Sequence, residues 1–119
     1  TSLIGFCEKE PKLVTEFTLS ETAALVQLAD LVISIDSMMI HLASALQTPV
    51  VALFGPTDDR VWAPWKVPCR VVSVSENESP SFVCRPCGLD GCAGSKISQC
   101  LYAITPSTIL AATESLLNR

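Results

Sequence analysis

Two short polar segments follow apolar runs of the sequence and carry residue types that bind a charged, hydroxylated ligand. Asp36-Ser37 follows the run 31–35, and Gly55-Pro56-Thr57 follows the run 50–54. A carboxylate accepts strong hydrogen bonds from hydroxyl groups, and the N–H groups at a helix start attract phosphate. The pattern therefore suits a ligand that contains a phosphate, although Asp36-Ser37 is equally typical of a plain helix cap.

The elements expected around these segments are those of an α/β domain. Short β-branched runs predict strands buried on both faces, as in a parallel sheet. Capping residues and apolar stripes predict helices between the strands, which gives a three-layer α/β domain with a parallel sheet. The predicted strands cover 31–35, 50–54 and 69–74, with a short one over 3–6, and the predicted helices cover 19–30 (capping box Thr18 and Glu21), 38–47 and 106–118 (cap Thr105).

The two polar segments are expected to line one crevice. Ligands bind outside the carboxyl ends of parallel strands, and consecutive strands are often neighbours. His41 lies one helical turn beyond Ser37, and Ser44 extends the same polar stripe. Asp36, Ser37, Gly55, Pro56 and Thr57 are therefore candidate binding residues, although the single histidine could equally be a solvent-facing side chain.

Composition narrows the classes of function. The 119 residues are 49% hydrophobic and 17% charged, with a formal net charge of −4, which predicts one globular domain. An acidic chain without a cluster of basic residues is a poor candidate for binding nucleic acid. The apolar runs are too short to predict a transmembrane segment, and no signal peptide is recognised.

A cysteine-rich segment over about 84–100 forms a second candidate site. Cys84, Cys87, Cys92 and Cys100 supply four thiols at a spacing of x2, x4 and x7 in a loop that contains glycines. Four thiolates can hold a structural zinc or iron ion, but this spacing matches no common zinc ribbon. Metal ligation, reduced thiols and disulfides all remain open.

The stretch Asp36-Ser37-Met38-Met39-Ile40-His41-Leu42-Ala43-Ser44-Ala45-Leu46, followed by Thr48-Pro49-Val50-Val51-Ala52-Leu53-Phe54-Gly55-Pro56-Thr57-Asp58, resembles the signature of glycosyltransferase family 9. The resemblance extends from about Val14 to the C-terminus. That family includes the heptosyltransferases of the lipopolysaccharide core, which have two Rossmann-like domains in the GT-B arrangement. The resemblance implies that residues 1–119 are part of the C-terminal, nucleotide-sugar-binding domain.

The resemblance also implies roles for individual residues. Asp36 would contact the donor sugar, Ser37 and the backbone of Met38 would hold the diphosphate, His41 would lie near the phosphates, and Phe17 would lie beside the base. Family members usually have a small residue where Met38 stands, so this side chain would crowd the diphosphate or alter the choice of donor. The acidic residue that holds the ribose has no clear counterpart; Glu8 and Glu10 are the candidates.

The resemblance implies an enzyme whose catalytic carboxylate and acceptor site lie in an N-terminal domain outside this sequence. The donor would be a nucleotide sugar such as ADP-heptose, the acceptor a glycolipid, and the transfer would need no metal cofactor. The isolated chain would be inactive, and the enzyme would be cytoplasmic or peripheral at the inner membrane of a Gram-negative bacterium. Two other hypotheses remain: a non-catalytic metal-knuckle module for protein assembly, and another GT-B enzyme such as an N-acetylglucosaminyltransferase or epimerase.

Overall fold

The computed structural model describes residues 9–74 and 82–118 of the chain. They contain a three-stranded sheet in the order β1 (Val32–Ile35), β2 (Val50–Leu53) and β3 (Cys69–Val72). Both pairings are parallel, with Val32 opposite Val50 and Val50 opposite Cys69. The parallel sheet predicted from the apolar runs is confirmed, and the strand predicted over 3–6 lies outside the described residues.

Helices cover both faces of this sheet and produce the three-layer architecture that the sequence predicts. One face carries α2 (Met38–Ala45), with α1 (Leu19–Leu28) packed beside it, and the other carries α5 (Pro106–Leu117). Two further helices, α3 (Asp59–Trp62) and α4 (Gln99–Tyr102), are single turns that the sequence patterns do not predict. None of the helices in the described ranges is long and apolar enough to span a membrane.

The helix starts follow from side chains that satisfy free backbone groups. Thr18 and Glu21 form the predicted capping box: the Thr18 hydroxyl accepts from the Glu21 N–H at 3.2 Å, and the Glu21 carboxylate accepts from the Thr18 N–H at 3.3 Å. Thr105 caps α5, with Pro106 at its first position. These local signals therefore fix where the long helices begin.

The hydrophobic core lies around β2, the central strand. Val50, Val51 and Ala52 are fully buried. Val50 and Ala52 pack towards α2, where Ile40 and Ala43 are also buried, while Val51 packs with Val72 and Leu116 beneath α5. Burial on both faces holds β2 in place and fixes the position of the turn that follows it.

The prediction that both first strands are buried on both faces is wrong for β1. Ile33 is 50% exposed and Ile35 is 51% exposed, because α5 packs over β2 and β3 and leaves this part of the sheet face uncovered in the described structure. An apolar run has the same sequence pattern in an edge strand as in a central one, so the pattern could not distinguish the two.

Candidate functional site

A cavity of about 320 Å³ lies at the carboxyl ends of β1 and β2. Asp36 lines it from the end of β1, and Gly55, Pro56 and Thr57 line it from the end of β2. The two strands are parallel neighbours, so their ends meet at one edge of the sheet. The sequence predicts that the Asp36-Ser37 turn and the Gly55-Pro56-Thr57 turn line one crevice; the structure places Asp36 on the wall of this cavity, whereas Ser37 does not line it.

Asp36 and Ser37 have different local roles. The Asp36 N–H donates to the Leu53 carbonyl at 3.1 Å, which continues the β1–β2 ladder and leaves the side chain at the cavity wall. Ser37 is the N-cap of α2, and its hydroxyl accepts from the Met39 N–H at 3.2 Å. The helix-cap interpretation is therefore correct for Ser37, whereas Asp36 stands one residue before the cap.

Three other candidate residues are not part of this cavity wall. Met38, the first residue of α2, is 58% exposed, and Phe17 is 46% exposed just before the Thr18 cap. His41 lines a different cavity of about 420 Å³, and its ring meets the ring of Trp62 edge-on with centroids 6.2 Å apart. The structure therefore does not place Met38, Phe17 or His41 on the wall of the cavity beside Asp36.

Ser44 lines the same cavity as His41, but its hydroxyl is already hydrogen-bonded within the protein. Ser44 is buried; its hydroxyl donates to the Ile40 carbonyl at 2.8 Å and accepts from the Trp65 N–H at 3.2 Å. These bonds attach the segment after α3 to the inner side of α2. Ser44 therefore has a structural role that its helical spacing alone does not reveal.

The turn after β2 is compact because Gly55 lies against α4. A Cβ atom at Gly55 would come within 2.9 Å of the Leu101 Cβ and 3.4 Å of the Cys100 Sγ. Asp58 then caps α3 by accepting from the Arg60 N–H at 3.0 Å. The Arg60 guanidinium, hydrogen-bonded to the Asp58 carboxylate, lowers the pKa of that carboxyl below its ordinary value. The turn is thus held by the packing of Gly55 against α4 on one side and by the Asp58 cap of α3 on the other.

The cysteine-rich segment supplies the other wall of the cavity, which the sequence reasoning missed. Gly88, Leu89 and Asp90 line it, as do Ser98 and Leu101. The position of this segment in the sequence could have predicted its place at the cavity. The segment follows β3, whose carboxyl end lies at the same edge of the sheet as those of β1 and β2.

The described structure does not arrange the four thiols as a metal site. Within the described ranges, which include all four cysteines of the loop, no three His, Cys, Asp or Glu side chains are arranged to hold one metal ion. None of these cysteines forms a disulfide; Cys84, Cys87 and Cys92 are exposed, and Cys100 is buried. The Cys92 Sγ atom accepts a hydrogen bond from the Gln99 N–H at 3.5 Å. Burial raises the pKa of the Cys100 thiol, and the positive charge of Arg85 opposes that shift. The sequence predicts that the four sulfurs could share one zinc or iron ion, and the described residues do not show that arrangement.

Glu10, one of the two candidates for holding a ribose, is also remote from the cavity wall. It lies on a separate shallow cavity formed by consecutive residues of the N-terminal segment. Glu8 lies outside the described residues. The ribose contact therefore stays unassigned.

The chain is an α/β domain with a cavity at the carboxyl edge of a parallel sheet, which is where open α/β sheets bind their ligands. The sequence profile of glycosyltransferase family 9 (heptosyltransferase) matches residues 3–89, which is most of the chain. The chain therefore belongs to glycosyltransferase family 9.

Two curated relatives agree with this assignment. Lipopolysaccharide heptosyltransferase 3 of Escherichia coli is 41% identical over 61 residues, and the protein of that name from strain K12 is 43% identical over 61 residues. Each match covers 50% of this chain but only 18% of the relative. The chain thus spans a small part of the length of these enzymes.

The fold agrees with the same family. The solved structure of E. coli ADP-heptose lps heptosyltransferase II matches with a TM-score of 0.63 and 26% sequence identity. The match covers 84% of this chain and 25% of that structure. The three-stranded parallel domain is therefore similar to one part of a two-domain GT-B enzyme.

Proposed function

We propose that this chain is the donor-binding part of a glycosyltransferase that transfers a heptose from ADP-heptose to a lipopolysaccharide-type acceptor. The single observation that carries the proposal is the cavity that Asp36 shares with Gly55, Pro56 and Thr57 at the carboxyl edge of the sheet. The catalytic carboxylate and the acceptor site belong to the remainder of the parent enzyme, in an N-terminal domain. Membership of family 9 supports the reaction class.

The cavity and the start of α2 bind different parts of the donor in this proposal. The first turn of α2 presents backbone N–H groups and the positive end of the helix dipole, which favour the diphosphate. The Asp36 carboxylate repels phosphate but accepts strong hydrogen bonds from sugar hydroxyls. The diphosphate therefore lies at Ser37 and Met38, and the sugar lies beside Asp36.

Helix dipoles and side chains steady the leaving diphosphate in this proposal, so that the transfer requires no divalent ion. The enzyme works on the cytoplasmic side of the inner membrane, where nucleotide-activated sugars are available to it. A different nucleotide sugar is the second candidate, since nothing in the cavity selects the base. Comparing ADP-heptose with UDP- and GDP-linked sugars as donors distinguishes the two.

The test compares Asp36→Ala with the wild type in the full-length enzyme. We expect the variant to raise the KM for ADP-heptose by about ten- to a hundredfold, because one charge-assisted hydrogen bond is worth roughly 1.5–3 kcal/mol. The inhibition constant of free ADP should change little, since ADP lacks the heptose that Asp36 is proposed to contact. Unchanged donor kinetics in a folded variant would show that Asp36 is not a donor contact.

A further inference from the structure

The loop over residues 84–98, which precedes α4, forms a wall of the cavity. Its residues Gly88, Leu89 and Asp90 face the turn after β2 across about 320 Å³ of space, with Ser98 at the far end of the loop. A second cavity of about 490 Å³ shares Asp90 and Ser98 with the first and continues along the loop. The crevice that begins at Asp36 therefore extends over the loop surface.

Direct hydrogen bonds hold this loop against the strand ends. The Gly88 N–H donates to the Pro56 carbonyl at 2.8 Å. The Arg85 guanidinium donates through Nε to the Gly55 carbonyl at 2.6 Å and through Nη1 to the Val74 carbonyl at 3.3 Å. Arg85 thus joins the loop to the segments that leave both β2 and β3, and the distance across the cavity is set by these bonds.

The loop places a second carboxylate on the cavity. Asp90 forms an ion pair with Lys96 at 2.7 Å, but both side chains are at least 75% exposed. Exposed pairs of this kind contribute little to stability, so Asp90 can exchange this contact for a ligand hydroxyl at small cost. With Asp36 on one wall and Asp90 on the other, the cavity disfavours phosphate and favours a neutral molecule with several hydroxyl groups.

We propose that the loop over residues 84–98 closes the donor-sugar subsite, that Asp90 contacts sugar hydroxyls and determines which sugar is accepted, and that Arg85 is a positioning residue for this wall. The inference rests on the proposed function, because it assigns the sugar half of the nucleotide sugar to this cavity. Ser98 adds a half-buried hydroxyl beside Asp90. Leu53 and Leu101 give the sugar ring an apolar surface for its C–H groups.

The experiment compares Asp90→Asn with Glu114→Gln in the full-length enzyme. The control removes the same charge from an exposed position on α5 that lines neither cavity. We expect Asp90→Asn to raise the KM for ADP-heptose about tenfold, as for one lost charge-assisted hydrogen bond, and to leave the inhibition constant of ADP unchanged. Asp90→Asn should also reduce the preference for ADP-heptose over ADP-hexoses, measured as a ratio of kcat/KM values. Glu114→Gln should match the wild type in both measurements.

Arg85 is tested with Arg85→Gln and the double variant Arg85→Gln/Asp90→Asn. We expect Arg85→Gln to reduce the same donor preference without changing ADP inhibition. The double variant should be less impaired than the product of the two single effects, because both changes remove one wall contact. A purely structural role of Arg85 would instead lower kcat and thermal stability, leave the preference intact, and overturn its assignment as a positioning residue.

The outcomes separate this inference from the proposed function. If Asp36→Ala raises the donor KM and Asp90→Asn does not, the loop is no part of the sugar subsite while the donor site stands. If Asp90→Asn weakens ADP and ADP-heptose equally, the cavity holds the nucleotide and the sugar assignment fails. If neither variant affects the donor, the site itself has been placed wrongly.

Discussion

The Arg85 Nε atom donates to the Gly55 carbonyl at 2.6 Å and so connects the cysteine-rich loop to the turn after the central strand. The two residues are far apart in sequence, yet each belongs to a segment that leaves the carboxyl edge of the sheet. A buried central strand fixes the position of Gly55, and Gly55 in turn fixes the guanidinium. The position of the loop therefore depends, through this hydrogen bond, on the buried central strand.

Gly91→Ala should disturb this loop more than Gly94→Ala does. Both glycines have positive φ angles, +93° and +74°, so alanine strains the backbone at either position by roughly 1–3 kcal/mol, and Gly91, with a ψ of 154°, has a conformation that is essentially confined to glycine. At Gly91 a Cβ atom would also lie 2.5 Å from the Lys96 Cα and N atoms, whereas at Gly94 it would meet nothing within 4 Å. We expect only Gly91→Ala to raise the KM for the sugar donor in the full-length enzyme, because only there must the backbone around Asp90 move.

Gly94→Ala is the matched control for the positive φ angle alone. Steady-state kinetics and thermal unfolding of both variants provide the comparison. Equal donor KM values for the two variants would mean that the clash at Lys96 is absorbed without moving the cavity wall, and would contradict the expectation.

The parallel sheet and its helices could be predicted from local sequence signals, because each signal acts within a few residues. Thr18 and Glu21 mark a helix start by direct hydrogen bonds, and the β-branched run ending at Leu53 marks a buried strand. The exposure of Ile33 could not be predicted, since it depends on which helix packs over which strand.

The sequence correctly predicts only those site residues whose position depends on strand order alone. Asp36 and Thr57 follow adjacent strands, and the structure places both on one cavity. His41 was assigned by helical spacing from Ser37, but a turn of helix carries it to another cavity. Asp90 was overlooked because its position depends on long-range bonds such as the one from Arg85.

The four thiols of the loop should react with iodoacetamide in two classes. Cys84, Cys87 and Cys92 are exposed, so we expect them to be alkylated quickly. Cys100 is buried, and desolvation raises its thiol pKa, so less of the reactive thiolate forms at a given pH. Peptide mass spectrometry of the native protein at several time points measures the four rates.

The same measurement tests metal ligation by the four cysteines. An ion held by all four sulfurs would protect them together and release them together on addition of a chelator. The raised pKa of the Cys100 thiol also makes the free energy of unfolding depend on pH. The stability that the buried, neutral thiol contributes is fully present below the ordinary thiol pKa, and it is lost as the pH rises through the raised pKa. Uniform protection of the four thiols would contradict the separated arrangement.

Ser37 allows the phosphate site to be distinguished from the helix cap. Ser37→Ala removes the hydroxyl that accepts from the Met39 N–H, so we expect a loss of about 1 kcal/mol in the free energy of unfolding. The same hydroxyl can donate to a diphosphate, so binding of both ADP and ADP-heptose should weaken by about 1 kcal/mol. Ser37→Asp keeps a good N-cap but sets a negative charge where the diphosphate is proposed to lie. This variant should unfold like the wild type in chemical denaturation while binding both ligands more weakly than Ser37→Ala in calorimetry, because like charges repel. ADP binding by Ser37→Asp at wild-type strength would place the diphosphate away from the start of α2.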